Sequence, residues 1–159
     1  MNTAKKQSFL LLCCLVFSLL SCKSVKPTTT ESTSESSTAL PFTFNFAESE
    51  QLMPLLDQAQ AEKKLIFIDF YADWCLPCKM MEKDVFRDKE LGDFFNTHFI
   101  NYKVDGEKGN GVNLVQIFNI KGYPTLLFLN EKGQVLERKE GAAYHTELKA
   151  LARRALAKQ

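Results

Sequence analysis

Phe42, Phe44 and Phe46 alternate with Thr43 and Asn45, the two-residue period of a half-buried strand, so the folded domain is predicted to begin at Pro41. Leu52, Leu55, Leu56 and Ala59 then recur at helical spacing. Leu65 to Tyr71 is a nearly unbroken apolar run, which predicts a strand covered on both faces. Met81 and Val85, four apart, fall on a helix that follows a cysteine pair, and Asp88 is placed to cap a further helix whose Leu91, Phe94 and Phe95 share one side. Phe99 to Val104 predicts the next strand and Leu114 to Phe118 a short helix. Leu126 to Leu129 predicts a strand whose hairpin partner, Gln134 to Lys139, lies across Asn130-Glu131-Lys132-Gly133. Leu148, Leu151, Ala155 and Leu156 mark a terminal helix. The order β-α-β-α-β-α-β-β-α calls for an α/β fold, a central mixed β-sheet with helices on both faces.

Ahead of this domain the pattern is of another kind. Lys5 and Lys6 precede a mostly apolar stretch from Phe9 to Leu20, shorter than the roughly 20 residues that a helix needs to cross a bilayer but matched to the apolar centre of a secretory signal. Residues 22–40 are dominated by Ser and Thr, with no apolar side chain from Thr28 to Thr38. Such a segment buries too little surface to offset its ordering entropy and reads as a flexible tether, or as a stalk open to glycosylation. The division is therefore 1–21 signal peptide, 22–40 tether and 41–159 folded domain.

Composition narrows the function. The chain has 159 residues, 45% of them hydrophobic and 13 of them Phe, enough for one packed core and little more. Net charge is +1, and no basic stripe is interleaved with aromatics, so nucleic acid is not an expected partner. Of five cysteines, Cys13, Cys14 and Cys22 lie in or at the end of the apolar leader, leaving only Cys75 and Cys78 in globular sequence. That excludes a multi-bridge disulfide scaffold.

Cys75 and Cys78 stand directly after the buried run and at the start of a helix, in Trp74-Cys75-Leu76-Pro77-Cys78-Lys79. Two intervening residues at a helix N-terminus bring the sulfurs within bridging range, while free N–H groups and the helix dipole favour a thiolate on the first. Cys75 is thus expected as the exposed nucleophile and Cys78, one turn on, as the resolving thiol. Pro77 fits the first turn because its missing N–H would have no partner there. The same spacing makes half of a zinc site, but no second pair follows and His98 and His145 are far apart in sequence, so no metal is expected. His98 reads as a helix-end or core residue, and Gly109-Asn110-Gly111 as a turn without the Lys or Ser of a phosphate loop.

The segment Phe67-Ile68-Asp69-Phe70-Tyr71-Ala72-Asp73-Trp74-Cys75-Leu76-Pro77-Cys78-Lys79 resembles the active-site stretch of the thioredoxin superfamily, and Gly122-Tyr123-Pro124-Thr125 resembles its second signature. With Met81-Glu82-Lys83-Asp84-Val85-Phe86 following without an insertion, the nearest subgroup is the periplasmic thioredoxin-like domains related to the C-terminal domain of DsbD. Leu19-Leu20-Ser21-Cys22 likewise resembles the lipobox of bacterial lipoproteins, which would make Cys22 the acylated first residue of the mature chain.

These resemblances imply a thioredoxin-like fold over residues 42–158 and a thiol–disulfide oxidoreductase that needs no cofactor beyond its own Cys75–Cys78 couple. They make Asp69 a buried carboxylate of raised pKa that helps move the proton of Cys78, where it could otherwise be a strand-end residue bonded to backbone. The lysine that thioredoxins often set against this carboxylate falls at Asn101, and Lys103, on the same face, stands ready to substitute. Pro124 is implied to be cis, Tyr123 to lie at the substrate contact, and Trp74 to cover the active-site surface. The implied setting is an exported, membrane-anchored monomer facing the periplasm or the cell surface, reducing disulfides of exported proteins with electrons from a membrane or periplasmic thiol donor. Disulfide oxidase, isomerase and noncatalytic binding module are the alternatives.

Overall fold

The computed structural model describes residues 42–159. The expected signal peptide (1–21), the expected tether (22–40) and Cys22 lie outside the described residues.

Helix α1 (Met53–Glu62) leads into β1 (Leu65–Tyr71), which is followed by α2 (Leu76–Asp84), α3 (Lys89–His98) and β2 (Phe99–Asp105). Helix α4 (Gly111–Ile117), β3 (Thr125–Leu129), β4 (Val135–Glu140) and α5 (His145–Leu156) complete the domain. The strands form one mixed sheet in the order β2-β1-β3-β4. Strand β1 runs parallel to β2 and antiparallel to β3, and β3 and β4 make the expected hairpin. Asn130 Oδ1 accepts the N–H groups of Lys132 and Gln134 across its turn, and Gly133 takes a positive φ of 77° there.

Alternation along the strands sorts two cores. Leu65, Phe67, Phe99, Leu126 and Phe128 point to one face, where α2, α3 and α5 cover them through Met81, Leu91, Phe95, Leu148, Leu151 and Ala155. Ile66, Ile68, Phe70, Ile100, Tyr102, Val104, Leu127 and Leu129 point to the other, against Leu55 and Ala59 of α1 and Leu114 of α4. Strand β1 is therefore buried on both sides, as its apolar run predicts. Asp69 is the one carboxylate in it.

One element differs from the expectation. Residues 42–46 form no strand; only Phe46 makes an isolated parallel bridge, with Asn101 at the open edge of β2. The side chain of Asn96 stands where the rest of a ladder would be: its Oδ1 accepts the Asn45 N–H at 2.8 Å and its Nδ2 donates to the Thr43 carbonyl at 2.8 Å. Phe44 is buried among Phe67, Phe86 and Phe95, so the alternating phenyl rings record packing and not strand pairing. Helix α4 also begins three residues earlier than the apolar spacing indicates. Asp88 caps α3 as expected, its Oδ1 accepting the Leu91 N–H at 2.7 Å.

Candidate active site

Strand β1 delivers the chain at its C-terminal end to the loop 72–74, and α2 starts immediately after. Cys75 is the N-cap of α2: its backbone is extended (φ −72°, ψ 103°) and its Sγ accepts the Cys78 N–H at 3.2 Å. That N–H is one of the donors with no partner inside the helix, and a thiolate at this position would take the same bond with more energy. Cys75 and Cys78 are joined as a disulfide, with Cα atoms 5.3 Å apart. Pro77 sits in the first turn, where no N–H is missed.

The sulfurs are not exposed. Cys75 is 1% accessible and Cys78 2%, which corrects the expectation of an exposed nucleophile. Tyr71 and Tyr123 pack against the cluster that the two cysteines form with Ala72. Accessibility passes to the neighbours, with Trp74 at 67% and Leu76 at 66%. An N-cap side chain folds back over its own first turn, and here the loop carrying Tyr123 closes the remaining side. The Tyr123–Pro124 peptide bond is cis, Pro124 is buried, and Thr125 Oγ1 ties the loop by donating to the Gly122 carbonyl at 2.7 Å.

Trp74 is fixed from across the site. Its indole N–H donates to Glu107, at 3.0 Å to Oε1 and 3.1 Å to Oε2, and its ring meets Tyr123 edge to face with centroids 6.1 Å apart. Lys108 adds an ion pair to Asp73 and another, at 3.1 Å, to Asp105. Hydrogen bonding to Lys108 holds the Asp73 carboxyl below its ordinary range. Gly106 donates its N–H to the Tyr71 carbonyl at 2.8 Å, and a Cβ built on it would lie 2.3 Å from the Tyr123 hydroxyl, so only glycine leaves room for that ring.

Asp69 is 1% accessible, and its Oδ1 has no hydrogen-bond partner. Burial pushes its pKa from 3.8 up to about 7, Lys103 opposing the rise and Glu82 adding to it. Lys103 is the register partner of Asp69 on β2. Its ammonium lies 3.9 Å from Asp69 Oδ2, 2.6 Å from Glu82 Oε1 and 3.2 Å from the centre of the Tyr71 ring. Asn101 pairs instead with Phe67, and its amide donates to Asn96 at 2.9 Å. Lys103 thus occupies the place beside Asp69.

The structure brings Cys75, Cys78, Trp74, Tyr123 and Pro124 to one end of the sheet, with Asp69 below them in β1. His98 ends α3 with its ring 4.9 Å from that of Phe94, a packing position. Two further residues of this site carry no expectation from sequence. Glu82 had a local signal, since it follows Cys78 by four on a helix and so shares its side. Glu107 had none, because its meeting with Trp74 depends on how β2 lies against β1.

A disulfide-bonded Cys-x-x-Cys at the N-terminus of a helix, after an inner strand of a mixed sheet and beside a cis-proline loop, is the arrangement of the thioredoxin-like thiol–disulfide oxidoreductases. The chain belongs to the thioredoxin-like domain family, whose family model matches residues 54–156. It is 40% identical over 80 residues to the thiol:disulfide interchange protein DsbD of Salmonella typhimurium, a match covering 48% of this chain and 14% of that protein. The chain thus corresponds to about one seventh of the length of that relative. Among solved structures it is similar to a proposed disulphide-isomerase from Bacteroides thetaiotaomicron, at 39% identity and a TM-score of 0.65 over 76% of this chain and 99% of that one. A thioredoxin from Thermus thermophilus aligns at 25% identity and a TM-score of 0.57, covering 63% of this chain and 80% of that one.

Proposed function

We propose that the protein is an exported, lipid-anchored reductase of protein disulfides, working through Cys75 and Cys78. One observation carries the reading: the Cys75 sulfur caps α2 and already accepts the Cys78 N–H, the arrangement that stabilises an attacking thiolate. The Cys75 thiolate attacks one sulfur of a substrate disulfide, forms a mixed disulfide and expels the other substrate sulfur, which takes up a proton. Asp69 as carboxylate accepts the proton of Cys78. The Cys78 sulfur then attacks Cys75 Sγ and releases the second substrate thiol. Two electrons have passed to the substrate, and a thiol donor at the membrane or in the periplasm restores the dithiol. Trp74, Tyr123 and Pro124 form the face that meets the substrate backbone. Cys22 supplies the anchor, residues 22–40 the reach, and the partners are disulfide-bearing exported proteins. The working unit is the monomer, with no metal or bound cofactor.

The resemblance of the Cys75–Cys78 segment to DsbD-type domains, taken with the expected anchor at Cys22, favours the reducing direction. The likeness to the Bacteroides protein favours disulfide isomerisation as the second reading. Equilibration of the Cys75–Cys78 couple with glutathione and with thioredoxin separates them. A reductase is expected at about −270 mV, an isomerase or oxidase between about −180 and −120 mV. Trapping with Cys78→Ser, which stops at the mixed disulfide, identifies the substrates and the electron donor. Recovery of no mixed disulfide in cells, with turnover of model disulfides absent as well, would leave a noncatalytic binding module.

A further inference from the structure

Lys103 is a flexible side chain with two carboxylates to choose between, and it sits closer to Glu82 than to Asp69, 2.6 Å against 3.9 Å. Glu82 is partly exposed on α2, whereas Asp69 is sealed in the sheet with one oxygen unpartnered. An ammonium left to itself would follow the better-hydrated carboxylate outward, since a lysine stem has about 2 kcal/mol of rotamer freedom to regain. What opposes this is an aromatic ring. Tyr71 leaves β1 on the same face as Asp69, two residues on, and presents its ring centre 3.2 Å from the ammonium. The same side chain packs against the Cys75–Cys78 cluster.

We propose that Tyr71 is a positioning residue of the redox site, its ring face holding the Lys103 ammonium between Asp69 and Glu82 and coupling that lysine to the packing around the disulfide. Tyr71 makes and breaks no bond in this role and exchanges no proton; it acts through Lys103. The charged groups around the pair are Asp69 on β1, Lys103 and Asp105 on β2, Glu82 on α2, and Asp73 and Lys108 in the flanking loops, while β3 places only Leu126 opposite Asp69. Lys103 is the one cation among them that holds the Asp69 proton affinity down. Loosening it therefore raises that affinity. Burial and the neighbouring carboxylates raise the Tyr71 pKa above its ordinary value, so the ring stays neutral through the range in which Asp69 titrates. The inference rests on the reading of Asp69 as the proton acceptor for Cys78, but its test does not.

NMR on the oxidised protein provides that test. In the wild type the Lys103 Hε resonances are expected upfield of their free position, because the ring current of Tyr71 acts on them. The carboxyl titration of Asp69 is expected to move up by about half a pH unit in Tyr71→Leu, the size an ordinary cation–π contact sets, and to stay in place in Tyr71→Phe, which keeps the ring. In a Lys103→Met background Tyr71→Leu should add nothing. Unshifted Lys103 resonances in the wild type would overturn the proposal even if Tyr71→Leu failed to fold. So would an Asp69 midpoint that Tyr71→Phe moves as far as Tyr71→Leu, or a Tyr71→Leu shift that persists without Lys103. Disulfide turnover is not measured, so failure of the reductase reading leaves these outcomes separate.

Discussion

Trp74 reaches across the active-site end of the sheet to give its indole N–H to both carboxylate oxygens of Glu107, at 3.0 and 3.1 Å. Most of the Trp74 ring is in water, so this bond and the edge contact with Tyr123 are what fix it beside Cys75. Glu107→Ala removes the acceptor and leaves the ring free to turn. The expected cost in stability is small, about 0.5–1.5 kcal/mol, because the bond is exposed. The expected cost in function falls on substrate positioning: KM for a disulfide peptide rises several-fold while kcat holds. Steady-state kinetics, with Trp74 fluorescence anisotropy reporting the loosened ring, checks this, and equal kinetics for the two proteins would refute it.

Asp69 makes a prediction with a definite sign. Its pKa is 3.8 in an unfolded chain and about 7 in the fold, chiefly because burial penalises the charged form. Between these values the folded protein binds the proton that the unfolded chain has released, so stability is full below about pH 4, falls as pH rises towards 7, and levels off above. The span amounts to a few kcal/mol at about 1.4 kcal/mol per pH unit. Asp69→Asn, uncharged throughout, should flatten this slope and be more stable than the wild type at pH 8. Urea unfolding of the oxidised proteins at pH 4.5, 6 and 8 measures both, and parallel slopes would show that Asp69 is not the group responsible.

The pairing of Asp69 with Lys103 shows how far the sequence could be read. That both residues occupy strands was plain from apolar runs, and the count along β2 put Lys103 on the correct face. Its proximity to Asp69 follows from the parallel register, which places Asp69 opposite Lys103 and Phe67 opposite Asn101. The Cys75–Cys78 bridge and the Pro124 loop were legible because each is a local motif. The burial of Cys75 was not, since it is produced by Tyr71 and Tyr123, one from each side of the turn. Residues 42–46 depart from the strand that their alternation predicts, because a row of alternating phenylalanines looks the same whether its backbone pairs with a strand or with the side chain of Asn96.

That substitution of side chain for strand can be tested. Asn96 Oδ1 accepts from the Asn45 N–H and the Asn101 amide, and Asn96 Nδ2 donates to the Thr43 carbonyl. Asn96→Ala leaves the buried Asn101 amide without its acceptor, and an unpaired buried polar group costs about 1–3 kcal/mol. The loss should be local: amide exchange at Asn45 and Ala47 accelerates strongly while β1 and β3 keep their protection. Uniform acceleration across the sheet would instead mean that the segment 42–47 is integral to the cooperative core.

Gly106 bears directly on how the disulfide is covered. Any Cβ at this position would fall 2.3 Å from the Tyr123 hydroxyl and 2.5 Å from its ring carbon Cε1, well inside contact distance. In Gly106→Ala either the loop after β2 or the ring has to move, and overpacking of this kind costs about 1–3 kcal/mol. Tyr123→Ala removes the obstructing atoms, so Gly106→Ala should cost clearly less in that background, a coupling of about 1 kcal/mol or more between two residues in contact. The chemistry should respond in step. Because Tyr123 packs against Cys75 and Cys78, displacing it uncovers the sulfurs, and dithiothreitol should reduce the disulfide several-fold faster in Gly106→Ala and in Tyr123→Ala than in the wild type. If both variants are reduced at the wild-type rate, access to Cys75 is controlled elsewhere; if the stability changes simply add, the Gly106–Tyr123 contact is not what holds the cover down.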